Sequence, residues 1–273
     1  MSLINRLTTF AVNKFKNFST MKVRLIRNAT LLVTINDKTL LIDPMLGNKG
    51  SLGKFPWIDD VRENPLVDLP FGEYELQRII EQTDAVILTH LHPDHWDSKA
   101  HEIIPKNIPI YCQQEDVQII EQLGFKNVIS VEEKIEFNEI EIFRTEGKHG
   151  LGEVGELMGK VSGFVLRYKK DVLYIAGDTI WCEDVINTID KYQPTFIIVN
   201  GGGAKFNIGE HVTMNTFDVK KLLEYYPSKI AVVHLETVSP VKESRQDIFK
   251  FISDNNIENK VIIPNDGDEF INE

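Results

Sequence analysis

From Lys22 onward apolar residues come in short runs, over 23–26, 31–35 and 40–42, broken by turn-formers such as Asn36-Asp37. Runs of this length and spacing predict a meander of strands. Residues 44–70 lose the periodicity and gain Gly and Pro, which predicts a long loop bordering a pocket. Helical spacing returns over 73–82, and the unbroken apolar stretch 85–88 reads as a buried strand. Beyond it the pattern predicts a strand at 108–112, a helix over 116–123 ended by Gly124, and strands near 135–137 and 140–144. Residues 161–167 and 172–176 form a hairpin around Lys169-Lys170-Asp171, followed by a helix over 183–192 and a strongly apolar strand over 196–199. A glycine-rich loop intervenes, Thr213 caps a helix over 214–226, and strand 230–234, helix 242–252 and strand 261–263 complete the chain. Strands alternating with helices define an α/β (α+β) class.

The first twenty residues differ from the rest. They hold no acidic residue, and Leu3, Ile4, Leu7, Phe10, Ala11, Phe15 and Phe18 recur at near-helical spacing with Arg6, Lys14 and Lys16 between them. This predicts a short basic amphipathic helix over 1–20 that packs on the domain or on a second subunit of a homo-oligomer, with a membrane-surface contact as the lesser reading. The apolar run is too brief for a membrane span. No repeat and no Pro, Gly or Ser-rich linker divides 21–273, which reads as a single domain.

At 273 residues and 42% hydrophobic the chain can bury a sizeable core. A formal charge of -11 argues against nucleic acid as a partner and against broad attraction to anionic membranes. Cys112 and Cys182 stand far apart and outside any C-x-x-C arrangement, so neither a disulfide framework nor a thiolate zinc cluster is expected, and a reducing cytoplasm fits best.

The chemistry concentrates behind strand 85–88. Thr89-His90-Leu91-His92-Pro93-Asp94-His95 places three of the chain's seven histidines and a carboxylate in six positions. Alternation on an extended segment sends His90 and His92 the same way, and Pro93 turns the chain so that Asp94 and His95 face the same volume. A lone histidine is usually a surface or hydrogen-bonded core residue, but a cluster of this kind leaves too many polar groups in need of partners. Imidazole and carboxylate are ligands of divalent ions, and four so close exceed what one tetrahedral ion with an open position accepts, so two metals are implied. A donor set without thiolates suits zinc first, with manganese or iron as alternatives.

Three further residues repeat one form. His149 follows a strand between glycines, Asp178 ends an apolar strand in Ala176-Gly177-Asp178-Thr179, and His234 leaves the apolar strand Ile230-Ala231-Val232-Val233. The ordered series H-x-H-x-D-H, His, Gly-Asp-Thr, His resembles the metallo-β-lactamase superfamily, over essentially the chain from Val23 onward. Within it, Leu41-Ile42-Asp43-Pro44, the run from Thr89 to Asp97, Ala176 to Thr179 and a Gly-rich segment leading to Thr213-Met214 are similar to the L-ascorbate-6-phosphate lactonase-like metal-dependent hydrolases.

That resemblance implies a four-layer αββα sandwich with a dinuclear site at the edge of two sheets. His90, His92 and His149 would hold one ion, Asp94, His95 and His234 the other, and Asp178 would bridge them. It further implies a hydroxide shared by the ions as nucleophile, with Asp94 and Asp178 as catalytic residues, acting on a small ester, lactone or phosphodiester; His211 is added as a catalytic candidate from its own position in the loop before a helix. A metal-binding module of the same fold that has lost its chemistry and binds a partner is the alternative, against which the complete ligand set speaks.

Other polar residues are candidates around this site. Asp43 and Asp97 are placed to orient a ligand, or simply to cap turns. Trp96 is expected either to wall the pocket or to belong to the core. Lys205, with the amides of Gly201-Gly202-Gly203, is a candidate receiver for an anionic group of a small-molecule substrate, although a plain flexible turn accounts for the glycines too. His211 is assigned to substrate contact or leaving-group protonation, against a hydrogen-bonded loop histidine, and His101 is expected on the solvent side of a polar helical stretch.

Overall fold

Residues 21–271 are described by the computed structural model, so the amphipathic segment expected over 1–20 lies outside the described residues. The first half runs β1 (Lys22–Arg27), β2 (Thr30–Ile35), β3 (Lys38–Ile42), α1 (Glu73–Gln82), β4 (Ala85–Ile87), α2 (Ser98–Ile103), β5 (Ile110–Cys112), a 3-10 turn (Gln114–Asp116), α3 (Val117–Gln122) and β6 (Val128–Ser130). The second runs β7 (Lys134–Phe137), β8 (Ile140–Glu146), α4 (Gly152–Met158), β9 (Ser162–Tyr168), β10 (Asp171–Ile175), α5 (Glu183–Tyr192), β11 (Phe196–Asn200), α6 (Thr216–Tyr225), β12 (Ile230–Val233), α7 (Arg245–Asp254) and β13 (Val261–Ile262). The last strand, β14 (Glu269–Ile271), returns to pair with β1.

Two seven-stranded sheets result, ordered β14-β1-β2-β3-β4-β5-β6 and β13-β12-β11-β10-β9-β8-β7. Each is an antiparallel meander that continues as parallel strands: β3 to β6 in the first sheet, β10 to β13 in the second. The parallel strands require crossovers, and helices supply most of them. Such strands are covered on both faces, which is why they read as unbroken apolar runs. Leu40, Ile42, Ala85 and Ile87 pack in the core between the sheets, whereas Leu41 and Val86 pack outward with Leu76, Ile79 and Ile80 of α1. In the second sheet Ile198 faces inward, and Ile197 and Val199 meet Val185 and Ile189 of α5 and Val219 and Leu222 of α6. Helices, two sheets and helices make the four layers.

Several boundaries depart from the hydrophobic pattern because a side-chain cap outranks it. α6 starts after Asn215, whose side chain accepts from the Asp218 amide, rather than after Thr213. Thr213 instead turns inward, accepting from Ala204 N and donating to Gly201 O. α7 starts after Ser244, which forms a capping box with Asp247. The helix expected over 116–123 is shorter, opening with the 3-10 turn. Strands β6 and β14 and helix α4 are too short to leave a periodic signal.

The long segment 44–70 is a loop, its ends held by one buried side chain. The guanidinium of Arg27, wholly buried, donates to the carbonyls of Met45, Gly47 and Val67 at 2.9, 2.8 and 3.0 Å. Burial lowers its pKa to about 10, with Asp97, Asp266 and Asp68 acting in the opposite sense, and the group stays charged at neutral pH.

Asp116 is an uncompensated charge in this fold. Its side chain is buried, and Oδ2 has no hydrogen-bond partner among the described residues. Burial pushes its pKa from 3.8 up to about 6, Glu115 and Asp43 add to the rise, and Gln113 opposes it. An acid whose folded-state pKa lies above its unfolded value favours folding when protonated, and that advantage is lost as pH rises through the folded pKa. Asp116→Asn is therefore expected to stabilise the protein by on the order of 2 kcal/mol above pH 7, the gain fading between about pH 6 and pH 4. Urea denaturation of both proteins at pH 4, 6 and 8 measures this, and a gain independent of pH would contradict it.

Candidate metal centre

Strand direction brings the site together. In the second sheet β8 and β10 both run antiparallel to β9, and β10, β11 and β12 are mutually parallel, so β8, β10, β11 and β12 share one C-terminal edge. His149 follows β8, Asp178 follows β10 and His234 follows β12. The first sheet contributes its own edge, where parallel β3 and β4 lead to Asp43 and to the run from His90 to His95. A tight turn after His92, with the amides of His95 and Trp96 donating to His92 O at 2.9 Å, swings Asp94 and His95 back toward His90. Ahead of Asp178, Gly177 has φ +68°, and a Cβ there would meet Ser162 O at 2.6 Å. Only glycine lets that strand end approach so closely.

The structure gathers all seven expected ligands. Their side-chain nitrogens and oxygens form three groups, His90 with His92 and His149, Asp94 with His95 and His234, and Asp178 with His90 and His95, each within 4.8 Å. The second carboxylate spans the others. Asp178 Oδ1 lies 3.3 Å from His95 Nε2, and Oδ2 lies 3.5 Å from His149 Nε2 and 3.8 Å from His234 Nε2. Asp94 Oδ2 lies 3.1 Å from His234 Nε2 and 3.8 Å from His95 Nε2.

Outer hydrogen bonds aim several of these groups. Asp43, buried at the end of β3, accepts from Thr89 N at 2.8 Å and Thr89 Oγ1 at 2.7 Å, and its Oδ2 lies 2.9 Å from His95 Nδ1. Val212 O accepts from His149 Nδ1 at 2.9 Å, which turns Nε2 inward. Asn200, at the end of β11, donates from Nδ2 to Asp178 Oδ1 at 2.6 Å.

The electrostatics suit cations. Burial holds His90 and His149 low, His149 at about 4, so these imidazoles are neutral and can act as donors. Burial also pulls His95 down, but Asp178, Asp43 and Asp94 outweigh it and raise it well above the usual histidine range. Asp94 and Asp178 lie far below the ordinary carboxylate range, since His95 and His234 overcome the effect of burial. Among the described residues, the ion pairs of Asp43, Asp94 and Asp178 are with histidines alone. His95 Nε2 is buried and, although Asp178 Oδ1 lies 3.3 Å away, makes no well-directed hydrogen bond among the described residues. Five imidazoles, two carboxylates and an orphaned ring nitrogen aimed among them fit divalent metal ions.

A cavity of about 280 Å³ opens over the cluster. His92, Asp94, His149, Asp178 and His234 form its polar part, and Phe55, Pro56, Trp57, Leu157, Met158, Phe206, Val212, Val238 and Pro240 line the rest. The loop 44–70 thus borders the pocket, through Phe55 to Trp57.

Four candidate roles around the pocket are corrected. Trp96 is core, 4% exposed, with its ring 5.4 Å from Phe125, and the aromatic wall comes from Trp57 and Phe206 instead. Lys205 pairs with Glu210 at 2.8 Å outside the lining, and the amides of Gly201 and Gly203 already donate to Val233 O and Met214 O, so no anion cradle forms. His211 Nε2 lies 2.8 Å from Asp218 Oδ2, off the cavity, while its neighbour Val212 faces it. Asp97 caps α2 through Ala100 N and accepts from Gly47 N at 2.6 Å, touching no ligand. His101 is half-buried rather than solvent-facing, its ring tilted against Trp96 at 4.8 Å between centroids. Asn28, Thr89 and Asn200 carried no expectation as side chains. Asn200 follows an apolar strand in the manner of Asp178 and His234, a signal that extends to amides.

An αββα sandwich with a buried His/Asp cluster at the common edge of its two sheets defines a metallo-β-lactamase-type fold. Residues 38–234 match the family described as the beta-lactamase superfamily domain, and the chain belongs to that superfamily. It is 37% identical over 258 residues to the UPF0173 protein YddR of Bacillus subtilis (strain 168), covering 92% of this chain and 99% of that one. The crystal structure of a possible metal-dependent hydrolase from Veillonella parvula DSM 2008 superposes with a TM-score of 0.87 at 35% identity, covering 92% of this chain and 99% of that one. The structure of an isothiocyanate hydrolase from Delia radicum gut bacteria gives a TM-score of 0.86 at 32% identity with the same coverage. No described helix is long and apolar enough to cross a membrane.

Asp43→Asn keeps the shape of the side chain and removes the charge beside His95 Nδ1. Loss of such an outer partner lowers metal affinity by roughly 10- to 100-fold. Zinc titration of the metal-stripped variant in competition with a chromophoric chelator is expected to show a loss of that size, and an unchanged affinity would mean that His95 is oriented without Asp43.

Proposed function

We propose that this chain is a metal-dependent hydrolase that holds two divalent ions and acts on small, uncharged, apolar electrophiles, with organic isothiocyanates as the leading class and neutral esters or lactones next. The observation that carries this reading is the contrast within one cavity: a floor of imidazoles and carboxylates beneath walls made almost wholly of apolar side chains, with no Lys or Arg among the described lining residues. His90, His92 and His149 would hold one ion, Asp94, His95 and His234 the other, with Asp178 shared. When bound, such ions lower the pKa of water toward neutrality and polarise an electrophile, and zinc suits the donors best, with manganese and iron compatible.

The chain's own residues account for the remaining requirements. Phe55, Trp57 and Phe206 supply apolar area for the organic group of the substrate. For an isothiocyanate the balanced reaction adds water across R–N=C=S to give a thiocarbamic acid, which breaks its C–N bond to release the amine and carbonyl sulfide. Both protons of the water end on nitrogen, the first as the C–O bond forms and the second, from the thiocarbamic O–H, as the C–N bond breaks. Asp94 and Asp178, the carboxylates among the described lining residues, are the groups we assign to carry them. The resemblance to a structure named isothiocyanate hydrolase, at 32% identity over nearly the full chain, supports the class. A phosphodiester is disfavoured, because its charge would enter an apolar cleft of a protein whose formal charge is -11. The complete donor set counts against a partner-binding module without activity.

Two measurements test this. Elemental analysis of zinc-loaded protein is expected to give about two ions per chain. The loaded protein is expected to turn over benzyl or phenethyl isothiocyanate at least 100-fold faster, by kcat/KM, than bis(p-nitrophenyl) phosphate, with Asp178→Ala lowering that activity by roughly a thousandfold or more. Preferred turnover of the phosphodiester, or a single ion at saturation, would overturn the corresponding half of the reading.

A further inference from the structure

The turn between β1 and β2 places one side chain against both halves of the ligand cluster. Asn28 is wholly buried with φ +60°, a left-handed conformation that asparagine tolerates better than most residues. Its side-chain Nδ2 donates to the main-chain carbonyl of Asp94 at 3.1 Å, and its own carbonyl accepts from His234 N at 2.9 Å. Asp94 comes from the first sheet's edge and His234 from the second's, and their side chains meet 3.1 Å apart. His234 is itself left-handed, with φ +66°. For histidine such a φ is uncommon and persists where surroundings impose it, and the bond to Asn28 is one such restraint.

Two unsatisfied atoms sharpen the picture. His234 Nδ1 and Asn28 Oδ1 are both buried and both lack a hydrogen-bond partner among the described residues, though the two residues are bonded through their main chains. One is a potential ring N–H donor and the other an amide acceptor. A metal-bound imidazole ordinarily donates its outer N–H to such an acceptor, which fixes the tautomer that leaves Nε2 free as the ligand atom.

We propose that Asn28 is a positioning residue for the Asp94, His95 and His234 set. Its amide nitrogen fixes the Asp94 main chain, and its Oδ1 is the outer acceptor for His234 Nδ1–H, directly or through one buried water. Asn28 touches no substrate and acts only through these two ligands. The proposal rests on the two-ion reading above, and it predicts an effect on one ion rather than on both.

The test uses metal-stripped full-length protein and zinc alone, titrated in competition with a chromophoric chelator. Asn28→Gly suits it, because glycine adopts φ +60° freely and the main-chain bond to His234 remains, so that only the amide group is lost. The expected result is a 10- to 100-fold weaker binding of one zinc, the other unchanged, and a metal-free melting temperature within roughly 3 °C of the parent. The zinc whose affinity is unchanged in Asn28→Gly should be the one weakened in His92→Ala, so the double variant binds both ions weakly. Asn28→Ala is expected to show the same zinc deficit at a lower melting temperature, since alanine is strained at that φ. Unchanged binding of both ions in Asn28→Gly overturns the proposal. Equal weakening of both ions with a fallen metal-free melting temperature also overturns it, because Asn28 is then a general fold residue. A parent protein that binds only one ion defeats the two-ion reading itself, and the proposal with it.

Discussion

Three carboxylates, Asp43, Asp94 and Asp178, lie buried where two apolar sheets meet, and among the described residues their ion-pair partners are imidazoles. A buried carboxylate without compensation is among the costliest groups a fold can contain. Histidine offsets that cost only while protonated, and protonation is unfavourable for the same reason of burial, which is why His90 and His149 are held low while His95 is held high. A divalent ion resolves the conflict, because it supplies the positive charge and lets the histidines remain neutral donors. The edge of the sandwich is therefore arranged around a charge that the amino acids alone do not balance.

The supporting residues follow from that constraint. Ligands at strand ends inherit their positions from β-sheet register, but their rotation about χ1 and χ2 is set by hydrogen bonds from one layer further out: Asp43 to His95, Val212 O to His149, Asn200 to Asp178. The β1–β2 turn carries an unusual share of this work. Arg27 ties loop segments near residues 45–47 and 67, Asn28 joins Asp94 to His234, and Thr30 donates to Asp43 O while accepting from Met45 N. Three residues within four positions thus connect the pocket loop, the outer carboxylate and both ligand edges.

Much of this was legible in the sequence, for identifiable reasons. Buried parallel strands must be continuous apolar runs, so β4, β11 and β12 announced themselves, and a polar residue at the exit of such a run marks the sheet edge where groups converge. That rule located His90, Asp178 and His234, and the same rule extended to amides would have reached Asn200. What escaped was whatever depends on pairing across distant segments. Lys205 looked like an anion receiver until Glu210 and the bonded glycine amides were placed around it. Trp96 follows a ligand directly, yet the turn that brings His95 inward sends the next side chain into the core beneath α2, against Phe125. His211 found Asp218 on α6, a contact no local pattern encodes.

The division of labour between strands and loops has a consequence for specificity. The polar floor is fixed by strand ends and their hydrogen bonds, whereas much of the apolar wall stands on loops and a short helix: 44–70, α4 and the segment 201–215. Trp57 stands in a left-handed conformation, φ +57°, with its carbonyl accepting from Asn207 N at 2.7 Å, while the Asn207 side chain donates to Asp59 at 2.8 Å. Two loops from opposite halves of the chain are thereby latched across the cavity mouth. Such a wall can change in sequence without disturbing the donor set, so substrate choice and reaction chemistry are separable in this fold. A low-dielectric wall also strengthens every charge on the floor beneath it, so the side chains proposed to select an apolar substrate would intensify the field that acts on it.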